Sequence, residues 1–135
     1  MSWRLMQAAL LLGLAACGSA QSVPAGERPF VTHAVATFDS PWAMAFLPGK
    51  TTAIVTEKPG RLWLVDVASG AKQPVGAAPE VVVSSQGGLL DVVLSPSFAA
   101  DHQVYLTYSE SSPNGGSGLA LARGTLVRNG GSARI

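Results

Sequence analysis

Trp42-Ala43-Met44-Ala45-Phe46-Leu47-Pro48, a short polar spacer and Ala53-Ile54-Val55-Thr56-Glu57 form a unit that recurs further along the chain. The second copy is Leu90-Asp91-Val92-Val93-Leu94-Ser95-Pro96, a spacer and Val104-Tyr105-Leu106-Thr107-Tyr108-Ser109-Glu110. Each copy is an apolar run of strand length closed by proline, then a turn, then a second run rich in β-branched and aromatic residues. Pro48 and Pro96 lie 48 residues apart, close to the period of about 40 to 50 residues that one four-stranded propeller blade needs. Two blades of a β-propeller are expected, with a β-sandwich whose strands share a proline by coincidence as the rival.

The same texture extends outward in both directions. Apolar runs punctuated by Gly, Pro, Asn and Ser predict strands at Phe30–Thr37, Trp42–Leu47, Ala53–Glu57, Arg61–Val67, Glu80–Ser84, Leu89–Leu94, Gln103–Ser109 and Leu119–Val127. No stretch beyond the N-terminal leader keeps a helical period over ten or more residues, which excludes α/β and all-α classes and leaves all-β. Lys58-Pro59-Gly60 predicts a hairpin, with proline presetting the first turn position and glycine taking positive φ at the second. Asn129-Gly130 predicts another. Two blades cannot close a ring, so residues 29–135 are expected to be the truncated N-terminal part of a longer propeller domain.

Composition narrows the class from a different side. The chain has 135 residues, 47% apolar and 13% charged, too apolar to stay solvated as a disordered chain. One cysteine rules out a disulfide scaffold. A formal charge of +1 without a basic run leaves nothing to neutralise a row of phosphates, so nucleic acid is not an expected partner.

Met1–Arg4 carries one positive charge and Met6–Ala16 is almost wholly small or apolar, interrupted only by Gln7 and Gly13. The apolar part is about 10 residues against the roughly 20 that a permanent membrane span needs, so it reads as a secretory leader. Leu14-Ala15-Ala16-Cys17 resembles the bacterial lipobox, in which the cysteine is lipidated and becomes the new N-terminus. Residues 1–17 are thus expected to be a lipoprotein signal peptide and 18–28 a flexible tether. Cys17 would fasten the protein to a lipid membrane, at the periplasmic face of the outer membrane or in the periplasm; removal of Cys17 with an ordinary signal peptide is the alternative. Without Arg4, eight basic residues face eight acidic ones.

The chemical inventory is short. His33 and His102 have no second ligand at metal-binding spacing, and Asp101-His102 reads as a surface turn before a strand. Gly-x-Ser-x-Gly is absent, so a serine nucleophile on an elbow has no support. Asn114-Gly115-Gly116-Ser117-Gly118 lacks the lysine and following helix of a phosphate loop. Ser85-Gln86-Gly87-Gly88-Leu89-Leu90-Asp91 is left: a neutral amide followed by two glycines that admit a flat ligand or another backbone, or simply a tight entry into a strand.

Three blocks together carry a family resemblance. Ser40-Pro41-Trp42 through Pro48, Val55-Thr56-Glu57-Lys58-Pro59-Gly60-Arg61-Leu62-Trp63-Leu64-Val65-Asp66, and Gln86-Gly87-Gly88-Leu89-Leu90-Asp91-Val92-Val93-Leu94 are similar to the N-terminal part of the soluble aldose sugar dehydrogenases that use pyrroloquinoline quinone, within the glucose and sorbosone dehydrogenase family. The resemblance implies a six-bladed β-propeller, a quinone at the mouth of the central channel with calcium beside it, and a histidine that takes the proton from the sugar C1 hydroxyl as hydride passes to the quinone. It places Gln86 against the quinone or the sugar, and it puts the catalytic base, the calcium ligands and the cationic clamps on the cofactor beyond Ile135. The electron acceptor is left open. Departures occur at Gly49-Lys50, where the family usually has Asp-Gly, and at Ser95-Pro96-Ser97-Phe98, where it usually has His-Pro-Asp-Phe. A non-enzymatic propeller lipoprotein binding a sugar or a partner is the alternative, and a propeller lactonase is a weaker one, since it would need clustered carboxylates.

Overall fold

The computed structural model describes residues 29–129 and 131–135. The leader, Cys17 and the tether lie outside the described residues. Contacts divide the chain at Thr32/His33, and everything below concerns residues 33–135.

Nine strands and one single-turn helix are present among the described residues: β1 Pro41–Phe46, β2 Thr52–Glu57, β3 Arg61–Asp66, β4 Lys72–Gly76, β5 Leu89–Leu94, α1 Phe98–Asp101, β6 Gln103–Ser111, β7 Ser117–Thr125, β8 Val127–Asn129 and β9 Ser132–Arg134. β1 to β4 form an antiparallel meander; β9 then pairs in parallel with β4 and antiparallel with β8. β5, β6 and β7 form a second antiparallel meander. The two meanders are the two units of the sequence repeat.

Each repeat also carries the same irregularity. Trp42 and Ala43 together oppose Thr56, because the register steps from Pro41↔Glu57 to Met44↔Val55. Leu90 and Asp91 oppose Thr107 in the same way. These are β-bulges, in which the extra residue loses its ladder partner. In both cases a threonine Oγ1 takes the orphaned amide: Ala43 N–H donates to Thr56 at 3.0 Å and Asp91 N–H to Thr107 at 3.0 Å.

The main core lies between the two meanders. Ile54, Leu62 and Leu64 from the first meet Leu89, Val92, Val104 and Leu106 from the second, with Leu47, Phe98 and Leu126 closing one end. Burial of each such side chain contributes about 1.5–3 kcal/mol. β2 is buried on both faces, which is why it reads as an unbroken apolar run. Its other face, Ala53 and Val55 beside Val65, is covered by Ala36 and Phe38.

Several strand expectations need correction. Residues 31–38 form no strand; within 33–38, Ala36 and Phe38 pack on a sheet face, where the backbone has no edge to pair with. Glu80–Ser84 is not a strand either: Val82 N–H donates to Ser109 O, Val82 O accepts from the Ser109 hydroxyl rather than from a strand amide, and the chain then reverses. Leu119–Val127 is interrupted at Leu126, which turns into the core while its N–H donates to His102 O at 2.8 Å. The Lys58-Pro59-Gly60 hairpin is present, but Lys58 and Pro59 are its central pair, and Gly60, at φ 101°, follows them. Asn129 and Ser132 pair across the second expected hairpin, and Asn114–Gly116 closes the β6–β7 hairpin. Lys50 sits at φ 59°, a left-handed conformation that glycine adopts more readily.

Candidate functional site

Gln86 stands at the tip of a turn between β4 and β5. The feet of the turn are held by Ser109 on β6. Ser109 N–H donates to Gly88 O at 2.9 Å, Val82 N–H donates to Ser109 O at 2.8 Å, and the Ser109 hydroxyl accepts from Gly88 N–H at 2.6 Å while donating to Val82 O at 2.9 Å. The tip closes on itself through Gly87 N–H donating to Ser84 O at 2.7 Å. On the opposite flank the β2–β3 turn contributes Lys58: its carbonyl accepts from Leu89 N–H at 2.9 Å and its ammonium donates to Ser85 O. Gln86 is exposed, and none of these ties uses its amide group.

The two glycines after Gln86 are accounted for by the chain itself. A Cβ on Gly87 would stand 2.6 Å from Ser109 Oγ, and one on Gly88, at φ 148°, would collide with the Lys58 carbonyl. Of the two partners the sequence allows for these glycines, a ligand or another backbone, the structure supplies the second. The turn is therefore a rigid strand entry that also presents an amide to solvent.

Beneath it, Tyr108 donates to Glu110 at 3.3 Å, and burial first and the Glu110 charge second hold its phenol above the ordinary range. The histidines lie elsewhere. His33 is exposed, and His102, also exposed, sits at φ 52° with its ring edge-on to Phe98 at 5.7 Å. Asp101 accepts from Gln103 N–H at 2.9 Å and from Ser95 Oγ at 2.7 Å, which lower its pKa and make it a brace for the turn rather than a free carboxylate. Among the described residues no three His, Cys, Asp or Glu side chains are grouped to hold a metal ion.

A hollow of about 570 Å³ lies at the other end of the strands, between Leu47, Pro48, Phe98, His102, Leu126 and Arg128. Its lining is mainly apolar and contains no residue of the Gln86 turn, so Gln86 rather than this hollow is the candidate. Sequence reasoning missed Lys58 and Ser109, because a hairpin lysine and a strand serine carry no local signal of a contact made 21 or more residues away.

The glucose/sorbosone dehydrogenase family model matches residues 38–134. The aldose sugar dehydrogenase YliI of Escherichia coli is 41% identical over 88 residues, which are 65% of this chain and 24% of that protein. The crystal structure of the soluble aldose sugar dehydrogenase of E. coli in the apo-form superimposes with a TM-score of 0.64 at 38% identity, over 70% of this chain and 27% of that one. The quinone-bound aldose sugar dehydrogenase of Streptomyces coelicolor gives 0.64 at 32% identity, over 74% and 28%. The chain thus spans about a quarter of the length of these relatives. Its paired meanders correspond to part of their propeller. With a family match across nearly the whole described fold, the chain belongs to the glucose/sorbosone dehydrogenase family.

Proposed function

We propose that residues 29–135 form the first two blades of an aldose sugar dehydrogenase that uses pyrroloquinoline quinone, and that Gln86 contacts the quinone or the sugar. The observation that carries this reading is the exposure of Gln86 at the tip of a turn tied down entirely by other groups. A carboxamide both donates and accepts, which suits quinone carbonyls and sugar hydroxyls equally. Similarity to a quinone-bound aldose sugar dehydrogenase supports the cofactor and the substrate class.

The fit is partial and specific. This turn offers a neutral amide, whereas the cofactor's carboxylates call for cations, and the ammonium of Lys58 is bound to Ser85. In this reading the cationic clamps, the calcium ligands and the histidine base belong to later blades. The quinone, when bound, accepts the hydride; the task of this chain is to present Gln86 at a fixed position.

Gln86→Ala in the full-length product of the coding sequence tests the assignment. Leaving partner groups unpaired at a desolvated site costs about 1–3 kcal/mol, so sugar kcat/KM or quinone affinity should fall roughly tenfold to a hundredfold. The thermal midpoint should stay with the parent. Parental values for both sugar oxidation and quinone titration would reduce Gln86 to a turn residue.

A further inference from the structure

We infer that Lys58 is a positioning residue for Gln86: by holding the Ser85 carbonyl, its ammonium fixes the peptide plane through which Gln86 joins the turn. The inference rests on the reading of Gln86 as a site residue. Ser109 anchors Val82 and Gly88, which are the feet of the turn. The Gly87–Ser84 bond closes the tip on itself without tying it to the rest of the molecule. Ser109 Oγ also packs against Gly87, but among the described residues Lys58 is the side chain that hydrogen-bonds the Ser85–Gln86 peptide from another element.

The tip has reason to relax if released. Ser85 lies at φ 50°, in the left-handed region that a non-glycine residue occupies when its surroundings hold it there. The carbonyl that Lys58 grips belongs to that residue, and the same peptide supplies the Gln86 N–H. Lys58 itself starts from a fixed point, since its N–H donates to Ser40 O at 2.9 Å and its C=O accepts from Leu89 at 2.9 Å. The Lys58 stem, which runs against Gly88, links a fixed backbone to the Ser85–Gln86 peptide and so sets the direction in which the next side chain leaves the turn. Loss of the ammonium would leave both feet in place and free the tip.

The test compares Lys58→Met, Lys58→Arg, Gln86→Ala and the Met/Ala double variant in the full-length product. Amide hydrogen exchange is followed at residues 84–89, together with sugar kcat and KM and quinone titration. Lys58→Met should speed exchange about fivefold, the scale of one exposed charge-assisted hydrogen bond, at Gly87, whose N–H makes the tip's hydrogen bond to Ser84 O, while β2 and β3 keep parental protection. It should shift the same kinetic or binding parameter that Gln86→Ala shifts, Arg should restore it, and the double variant should be no worse than Gln86→Ala alone. Parental exchange at the tip, or a Lys58→Met effect that adds in full to that of Gln86→Ala, overturns the inference. Faster exchange with a silent Gln86→Ala removes instead the reading of Gln86, so the two failures are told apart.

Discussion

Glu57 ends β2 with a carboxylate that is only 2% exposed. Its Oε1 accepts from Asp39 N–H at 2.7 Å and its Oε2 from Arg61 Nε at 2.5 Å; the far side of Arg61 reaches Asp39 Oδ2 at 2.5 Å. Burial pushes this carboxyl up, but the Trp63 indole, Arg61 and the Asp39 amide together outweigh it and hold it below the ordinary glutamate range. Trp63 Nε1 is buried and close enough to favour the ionised form without making a well-formed hydrogen bond. A group whose folded pKa is lowered contributes stability above its unfolded value, here 4.5, and loses it as pH falls through the folded value. The thermal midpoint of the full-length product should accordingly drop on acidification below that pH, and Glu57→Gln should flatten the drop while lowering the midpoint at neutral pH. An acid limb identical in parent and variant would show that Glu57 is not linked to folding. The string Thr-Glu-Lys-Pro-Gly-Arg announces a hairpin, but the burial of its glutamate depends on Asp39, 18 residues away, and that contact exists only once the chain has folded.

At the scale of elements, the two bulges show why the repeat was legible. The aligned pairs Trp42-Ala43 and Leu90-Asp91 fall at the same place in their meanders, each facing a threonine. Thr56 does more than Thr107: fully buried, it accepts from Ala43 and donates to Leu90 O at 2.7 Å, joining the first meander to β5 of the second. Thr56→Val keeps the shape and removes both bonds, leaving a part-buried amide and a part-buried carbonyl unpaired at a cost of about 1–3 kcal/mol. Denaturant unfolding should show that loss, with a smaller one for Thr107→Val; equal or negligible losses would deny Thr56 its bridging role. Strands with a clear apolar run were found from sequence alone, whereas β4 was hidden by Pro74, a residue that reads as a strand breaker but here pairs with Trp63 where the ladder can spare its missing N–H. Three-residue β9 is too short to carry any period. Phe30–Thr37 has the composition of a strand, yet composition cannot tell a sheet edge from a sheet face.

Across the whole molecule, much of the apolar surface left outside the core of the described residues falls on the outward faces of the two meanders. Leu119 and Leu121 on β7 are 75% and 69% exposed and share a face with Val93; Met44 on β1 is 59% exposed, between Trp42 and Phe46. Faces of this kind are covered by the neighbouring blades in a ring, where stability is largely a sum over interfaces between repeats. The propeller was therefore readable from the repeat, while the site was readable only through Gln86, because the other groups that a quinone and a sugar would need do not fall in these two units. The most direct measurement is aldose-dependent dye reduction by the full-length product, with and without pyrroloquinoline quinone and calcium, beside residues 18–135 treated identically. Turnover by the full-length product that requires the quinone, and none by residues 18–135, is the predicted result. A cooperatively folded full-length product that neither binds the quinone nor oxidises an aldose, or turnover by residues 18–135 alone, would contradict it.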